Sequence, residues 1–253
     1  MSKTDIEKYS QKFVELISSL QPVVVLTGAG VSTASGIPDF RGPDGLYSKI
    51  SPRVFELDFF LEQPQEYYSL TMNRIHMLKD VKPNETHILL AILQKHGFIE
   101  TVITQNIDGL HQKAGMEGVI ELHGNAGNFY CMDCGETYTV AEIAEKLKFE
   151  PVPYCSCGGL IRPDVVFFGE FLSESALARA RESSQSCQLF VVMGSSLNVY
   201  PAAGFPRIAA ENGAYLLIIN RGETALDYMA NLKFDCDLEA FSKAVLEKFK
   251  ELD

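Results

Sequence analysis

The feature that most constrains this chain is a set of short apolar runs without alternation: 23–27 (VVVLT), 99–104 (IETVIT), 164–168 (DVVFF), 188–193 (QLFVVM) and 215–219 (YLLII). Strands with one wet face alternate apolar and polar residues, whereas strands covered on both faces do not. Helix-like stretches lie between the runs. Asn84 and Gly97 bracket 85–96 as N-cap and stop, Ser173 and Glu174 open 173–185, Gly213 closes 202–212, and 237–251 ends the chain. Near the N-terminus Ile6, Phe13, Ile17 and Leu20 fall on one helix face. Strands alternating with helices predict an α/β fold on a Rossmann-like, doubly wound parallel sheet. With 253 residues, 46% hydrophobic, the chain can build such a core and still carry a small insert.

Residues 124–163 break this rhythm, being rich in Gly, Pro and Cys with one short helical pattern near 139–148. Cys131 and Cys134 are separated by 20 intervening residues from Cys155 and Cys157. Two cysteine pairs so spaced read as a zinc ribbon, and four thiolates leave no open position for catalysis, so the metal is structural. The second pair is one residue tighter than usual, which a turn at Gly158-Gly159 would have to accommodate. The alternative is two pairs of free or oxidised thiols. Cys187 and Cys236 read as small buried hydrophobes. A second irregular stretch, 38–83, reads as helices and loops covering one side of a site. The expected division is a main domain of 1–38, 84–123 and 164–253, with a small domain made of 39–83 (helical and cofactor-loop part) and 124–163 (zinc-ribbon part).

A net charge of −11 argues against a sequence-independent hold on nucleic acid and suits cationic partners such as Lys-rich peptides. No apolar run approaches the roughly 20 residues of a membrane span. With no signal peptide in view, six cysteines point to metal or catalysis before disulfides, so a cytoplasmic protein without membrane contact is expected.

In an open parallel sheet, ligands collect beyond the carboxyl ends of the strands. Four such ends carry polar groups here: Gly28 to Thr33, Thr104 to Asp108, Gly194 to Ser196, and Asn220. Gly28 and Gly30 would let backbone N–H groups approach a pyrophosphate at a helix N-terminus, with Ser32 or Thr33 adding bonds. Ser195 and Ser196 suit phosphate or ribose, and Asn220 sits where a ribose hydroxyl is read. The third glycine of a dehydrogenase fingerprint is missing, its place taken by Thr33, and nothing supplies hydride geometry. Asp39 and Arg41 either bridge each other or anchor a ligand, and Phe40 in their polar loop could shield a reactive sugar carbon. His76, His87, His96 and His111 read as surface or capping residues. His123, in "ELHGN" just before the cysteine insert, is a candidate general base.

"GAGVSTASGIPDFRG", "TQNIDGLH", "ELHGN", the paired cysteines, "RPDVVFFGE", "GSSLNVYPAA" and "IIN" together resemble, in this order, the sirtuin family of NAD-dependent protein deacylases. The resemblance runs from about residue 20 to 240. It implies a Rossmann-like domain, a small zinc and helical domain, and a cleft between them in which NAD is consumed rather than used as a hydride carrier. The acyl oxygen of an acetyl-lysine attacks C1′ of the nicotinamide ribose, nicotinamide leaves, and lysine and 2′-O-acetyl-ADP-ribose result.

Carried onto this chain, the resemblance makes His123 the base, with Asn106 and Asp108 as polar groups of the nicotinamide pocket, Ile107 beside the ring and Phe40 over it. Arg41 and Gln105 hold phosphate and ribose, while Ala29 and Thr33 line the pyrophosphate loop. Asp39 belongs to the same cofactor loop. Gly194, Ser195, Ser196, Asn220 and Asp237 fall at the adenosine half. The peptide adds as a strand between 167–171 and 196–200, with Val166, Phe167, Phe168, Gly169, Glu170, Leu197 and Val199 around it. Tyr68-Ser69-Leu70-Thr71 matches a Tyr-x-x-Arg pair of succinyl-selective members but lacks the Arg, which predicts neutral acyl groups. Three other readings stand beside this one: mono-ADP-ribosyl transfer, a non-catalytic NAD-sensing module, and a hydride-transferring dehydrogenase.

Overall fold

The computed structural model describes residues 3–40, 42, 45–77 and 81–249. Arg41 lies outside them. In chain order the strands are β1 Val23–Thr27, β2 Thr101–Thr104, β3 Ile120–Glu121, β4 Gly124–Cys131, β5 Thr137–Thr139, β6 Ile161–Val165, β7 Leu189–Met193, β8 Tyr215–Ile219 and β9 Leu232–Phe234. The helices are α1 Lys3–Ser19, α2 Leu57–Glu62, α3 Pro64–Thr71, α4 Glu85–Lys95, α5 Leu110–Lys113, α6 Val140–Lys146, α7 Glu174–Ser186, α8 Phe205–Glu211 and α9 Leu238–Phe249.

Six strands form an all-parallel sheet in the order β3-β2-β1-β7-β8-β9. Counted along the chain within this sheet, that is the 3-2-1-4-5-6 order of dinucleotide-binding folds, whose crevice opens where the order reverses, here between β1 and β7. The unbroken apolar runs follow from coverage on both faces. Val23 and Val25 meet Phe13, Ile17, Leu89 and Phe241 of α1, α4 and α9, while Val24 and Leu26 meet Ala180, Phe205 and Ala209 of α7 and α8. α4 starts where expected, with the Asn84 side chain accepting from Thr86 N–H at 2.9 Å.

The run at 164–168 is not a strand of this sheet. β6 covers Ile161–Val165 and pairs antiparallel with β4 in a separate three-stranded sheet, β5-β4-β6. An apolar run of strand length cannot say which sheet it joins; the break at Phe167 and Phe168 comes because their backbone turns to other partners. A third apolar cluster joins Phe60, Tyr67, Tyr68 and Ile75 of the helical cover to Phe129, Ile161 and Phe167 of the insert. The edge strand β9 carries too short an apolar pattern to be seen in the sequence.

Three of the histidines read as surface or capping residues are buried: His76, His87 and His111. His76 bonds Tyr67 Oη at 3.0 Å and the Ala126 carbonyl at 2.8 Å, tying cover to insert, and burial pushes it down to about 4 against the opposing Ala126 bond. His87 does cap α4, from inside the core. His111 Nε2 meets Thr27 Oγ1 at 2.9 Å.

Candidate active site

The carboxyl ends of β1, β2, β7 and β8 open into one cleft of about 920 Å³, closed on its other side by the helical cover and by 165–170. It is lined by Gly28, Ala29, Gly30, Thr33, Asp39, Phe40, Gln105, Asn106, Ile107, His123, Gly194, Ser195, Ser196, Asn220 and Asp237. Val166, Phe167, Phe168, Gly169, Glu170 and Val199 line it too. Two of the expected residues do not. Leu197 is buried, because its φ of +58 turns the side chain into the core beside α8. Asp108 sits behind the wall, accepting from Ser32 Oγ at 2.7 Å and from Leu110 N–H at 2.9 Å.

The glycine loop differs from a phosphate-binding helix start. After Gly28 the chain makes two 3-10 turns, Ala29–Val31 and Thr33–Ser35, and no α-helix. The N–H groups of Gly28 and Gly30 donate to the carbonyls of Met193 and Gly194 at 3.1 and 2.9 Å, so they are not the groups that meet a phosphate. Their lack of a side chain serves close packing instead. A Cβ at Gly28 or Gly30 would lie 2.8 Å from Gly194 O. Gly194 itself has φ +62, the left-handed region that glycine occupies without strain.

Beyond β2 the polar residues interlock. Gln105 Nε2 donates to Ser195 Oγ at 2.9 Å, tying the ends of β2 and β7 together. The Asn106 amide donates to Gly28 O at 3.1 Å and Ser32 Oγ at 3.2 Å, and its N–H donates to Thr104 Oγ1 at 3.1 Å. With both amide protons committed, its carbonyl oxygen has a set direction.

His123 follows β3 and is half-buried. Its Nδ1 lies 2.8 Å from the Gln105 carbonyl, which can only accept, so Nδ1 carries the proton and the neutral ring keeps its lone pair on Nε2. Burial lowers its pKa below the usual histidine value, the Gln105 bond opposing. The ring is therefore a neutral base near pH 7.

The opposite wall is aromatic and apolar. Phe40, Tyr47 and Phe55 form a row with centroids 5.5 and 5.9 Å apart, and Ile75 and Phe167 line the cleft as well. Tyr68, matched in sequence to the Tyr of the Tyr-x-x-Arg pair, is buried in the small core and donates to Ile161 O at 2.7 Å. Ile75 lines the cleft, a residue the sequence motif did not single out. Asp39 accepts the Gly42 N–H at 2.7 Å, folding its own loop.

The segment after β6 is held by a buried clamp. Arg162 bonds both oxygens of Glu170, at 2.7 and 2.6 Å, and stacks against Phe167 with 5.0 Å to the ring centroid. Glu170 lines the cleft, yet its carboxylate belongs to this clamp. Phe168 uses both backbone groups on the cover, donating to Phe55 O at 2.8 Å and accepting from Leu57 N–H at 3.1 Å. Gly169, with φ +95, and the exposed Phe168 ring remain at the cleft mouth.

The four thiols of Cys131, Cys134, Cys155 and Cys157 all lie within 4.8 Å of one another, with contacts of 3.5 Å (Cys131–Cys157) and 3.6 Å (Cys134–Cys155). Zinc–sulfur bonds of about 2.3 Å place tetrahedral sulfurs about 3.8 Å apart, so the set fits structural Zn²⁺. The tight second pair closes through a turn in which Gly158 N–H donates to Cys155 O at 2.9 Å with φ +93. Gly159 is needed as well, since a Cβ there would lie 2.6 Å from Cys131 Sγ.

Comparison with known proteins agrees with this geometry. Residues 28–201 match the model of the Sir2 family. An NAD-dependent protein deacetylase of Thermotoga maritima is 48% identical over 239 residues, covering 94% of this chain and 97% of its own length. One from Sulfolobus acidocaldarius is 42% identical, covering 96% of each. A solved Sir2 with deacetylated p53 peptide and 3′-O-acetyl-ADP-ribose superposes with a TM-score of 0.91 at 48% identity, over 94% of this chain and 97% of that one. A Sir2 with p53 peptide and NAD⁺ gives 0.89 at 47% identity, over the same shares. The match over 28–201 and the relatives at 48% and 42% identity agree with the dinucleotide-fold strand order, the four-thiol insert and the half-buried histidine of the cleft, and the chain belongs to the Sir2 family.

Proposed function

We propose that this protein is an NAD-dependent protein-lysine deacetylase, in which acetyl-lysine, NAD and water give lysine, nicotinamide and O-acetyl-ADP-ribose. The observation that carries this function is His123: a neutral base, its tautomer set by the Gln105 carbonyl, in the cleft that the dinucleotide end shares with an apolar wall. A binding module needs no such base.

The residues divide the work as follows. Ala29 and Thr33 border the pyrophosphate, with Gly28, Gly30 and Gly194 giving the close packing that shapes the loop. Gln105, with Arg41, holds phosphate and ribose, and Ser195, Ser196, Asn220 and Asp237 hold the adenosine half. The fixed Asn106 carbonyl and Ile107 face the nicotinamide, while Asp108 acts from behind by fixing Ser32 and hence Asn106. Phe40 and its aromatic row keep water from C1′ while the acyl oxygen attacks and nicotinamide leaves with the bonding pair. Nε2 of His123 then takes the proton of a ribose hydroxyl, which attacks the acyl carbon.

The acetyl-lysine chain enters past Val166 and Phe168 against Ile75 and Phe167. Because Phe168 pairs with the cover, main-chain bonds to the peptide fall to Gly169 and to the 196–200 side near Val199, with Leu197 supplying backbone only. Solved Sir2 structures carry acetylated and propionylated peptides, and the apolar wall suits both. Zn²⁺ on the four cysteines would hold the insert together and take no part in the chemistry.

The division expected from sequence is kept as part of this proposal, supported by the shared apolar core of 46–77 and 126–167. Among the described residues no helix is long and apolar enough to cross a membrane. Reduced thiols for zinc suit the cytoplasm, and the acidic surface suits lysine-rich protein substrates rather than nucleic acid or membrane.

Mass spectrometry of the products from an acetylated peptide and NAD tests the proposal. Free lysine peptide with O-acetyl-ADP-ribose is expected. ADP-ribose attached to protein would favour the transferase, unconsumed NAD the sensor, and NADH the dehydrogenase.

A further inference from the structure

β8 and β9 run parallel with Ile219 beside Phe234, and Asn220 N–H donates to the Phe234 carbonyl at 3.1 Å. The loops leaving the two strands therefore start side by side at the carboxyl edge of the sheet. One brings Arg221 and Glu223 to the cleft, the other Asp237 and Glu239. The first is a tight turn: Gly222 has φ +79, its N–H donates to Asp235 Oδ1 at 3.0 Å, and the Asn220 amide donates to Arg221 O at 3.0 Å. Asp237 is fixed from the other side. Its Oδ1 accepts the Ala240 N–H at 2.9 Å in the first turn of α9, while Oδ2 pairs with Nη2 of Arg221. Among the described residues lining the cleft, Arg221 is the only Lys or Arg.

In dinucleotide folds a free Arg beside the adenosine ribose accommodates a 2′-phosphate, whereas a hydroxyl is read by a group without positive charge. Arg221 follows Asn220, at the end of the cleft assigned above to the adenosine half, but it is not free. The ion pair is exposed, 74% and 45% for its two side chains, so it adds little to stability. Its consequence is for ligands. A phosphate dianion would have to take the guanidinium from Asp237 and then lie against the carboxylates of Asp237 and Glu223. A neutral ribose hydroxyl meets neither penalty.

We propose that Asp237 is a specificity-determining residue: by holding Arg221 it makes this site accept NAD and reject the 2′-phosphorylated dinucleotide. This deepens the NAD reading above and rests on it.

The test compares kcat/KM for NAD and NADP, with acetyl-lysine peptide, in the wild type, Asp237→Asn, Arg221→Gln and the double variant. Asn keeps an oxygen for the Ala240 N–H, so α9 keeps its cap while the charge goes. The readout is the NADP-to-NAD ratio, because loss of overall activity alone would not move it. Asp237→Asn should raise the ratio about threefold to fivefold, the upper worth of an exposed ion pair. Arg221→Gln in the same chain should cancel the gain. An unchanged ratio in Asp237→Asn, or a gain that survives without Arg221, overturns the inference while leaving the NAD reading intact. A wild type that consumes neither dinucleotide overturns both.

Discussion

Glu170→Ala should destabilise the protein and weaken peptide use together. Arg162 is nearly buried, its side chain 7% exposed, and Glu170 is 21% exposed. Removing the carboxylate leaves a guanidinium in a site built for a pair, with hydrogen bonds to Val165 O at 2.9 Å and Pro163 O at 3.4 Å but no counter-charge. It also frees the Phe167 N–H, which donates to Glu170 Oε2 at 2.8 Å. An uncompensated buried charge costs about 3 kcal/mol at the lower end of the measured range. In a chain of this size that is about 6–12 °C in Tm. Thermal and urea unfolding of the zinc-loaded protein measure the loss, and peptide KM should rise because Gly169 and Phe168 hang on the same clamp. Replacing both partners, Arg162→Met with Glu170→Leu, should cost far less than the single change, since no charge is left stranded. Equal losses in the single and double variants, or a loss under about 1 kcal/mol for Glu170→Ala, would refute the clamp. The pH dependence has a definite sign. Burial alone would raise the Glu170 carboxyl, but the Arg162 bonds and the Phe167 N–H outweigh it and hold it below the usual range. Its contribution is present above the unfolded carboxylate pKa of about 4.3 and is lost as pH falls through the lower folded value.

Other consequences are more direct. His123→Ala should keep NAD binding while kcat falls about 10²- to 10⁴-fold, and undiminished turnover would remove His123 from its role. Because burial lowers the His123 pKa, the acid limb of kcat/KM in the wild type should lie below the ordinary histidine value of about 6.5. Metal analysis should give about one zinc per chain, and stripping it should unfold the insert first, seen as early proteolysis within 124–163. Acetyl- and propionyl-lysine should be removed at least about tenfold faster than succinyl-lysine, whose carboxylate would meet Ile75 and Phe167, where the guanidinium stacked on Phe167, that of Arg162, is already paired with Glu170; equal rates would contradict the apolar wall.

How much of this was legible in the sequence depends on the range of the interaction concerned. The parallel sheet could be read because Val23 to Leu26 and Leu216 to Ile219 must be apolar on both faces. The cysteine spacing was legible because a metal imposes it locally. What stayed hidden depends on partners far along the chain. Ile161–Val165 could not announce that it pairs with β4, and Tyr68 could not announce that its hydroxyl would go to Ile161 O. Leu197 fits a peptide-facing pattern until its positive φ is seen. His76 and His111 show the same limit: a histidine on a helix looks like a surface residue unless its buried acceptors are known. Gly28 and Gly30 stand out in the sequence as a phosphate approach, whereas the atoms they make room for are those of Gly194.

The central claim is that NAD cleavage and deacetylation are one event in one cleft. The most direct measurement counts nicotinamide and lysine peptide together in a single incubation with acetyl-lysine peptide, with and without NAD. One nicotinamide per deacetylated lysine, and no deacetylation without NAD, is the predicted result. Deacetylation that proceeds without NAD, or nicotinamide released with the peptide still acetylated, would contradict the account.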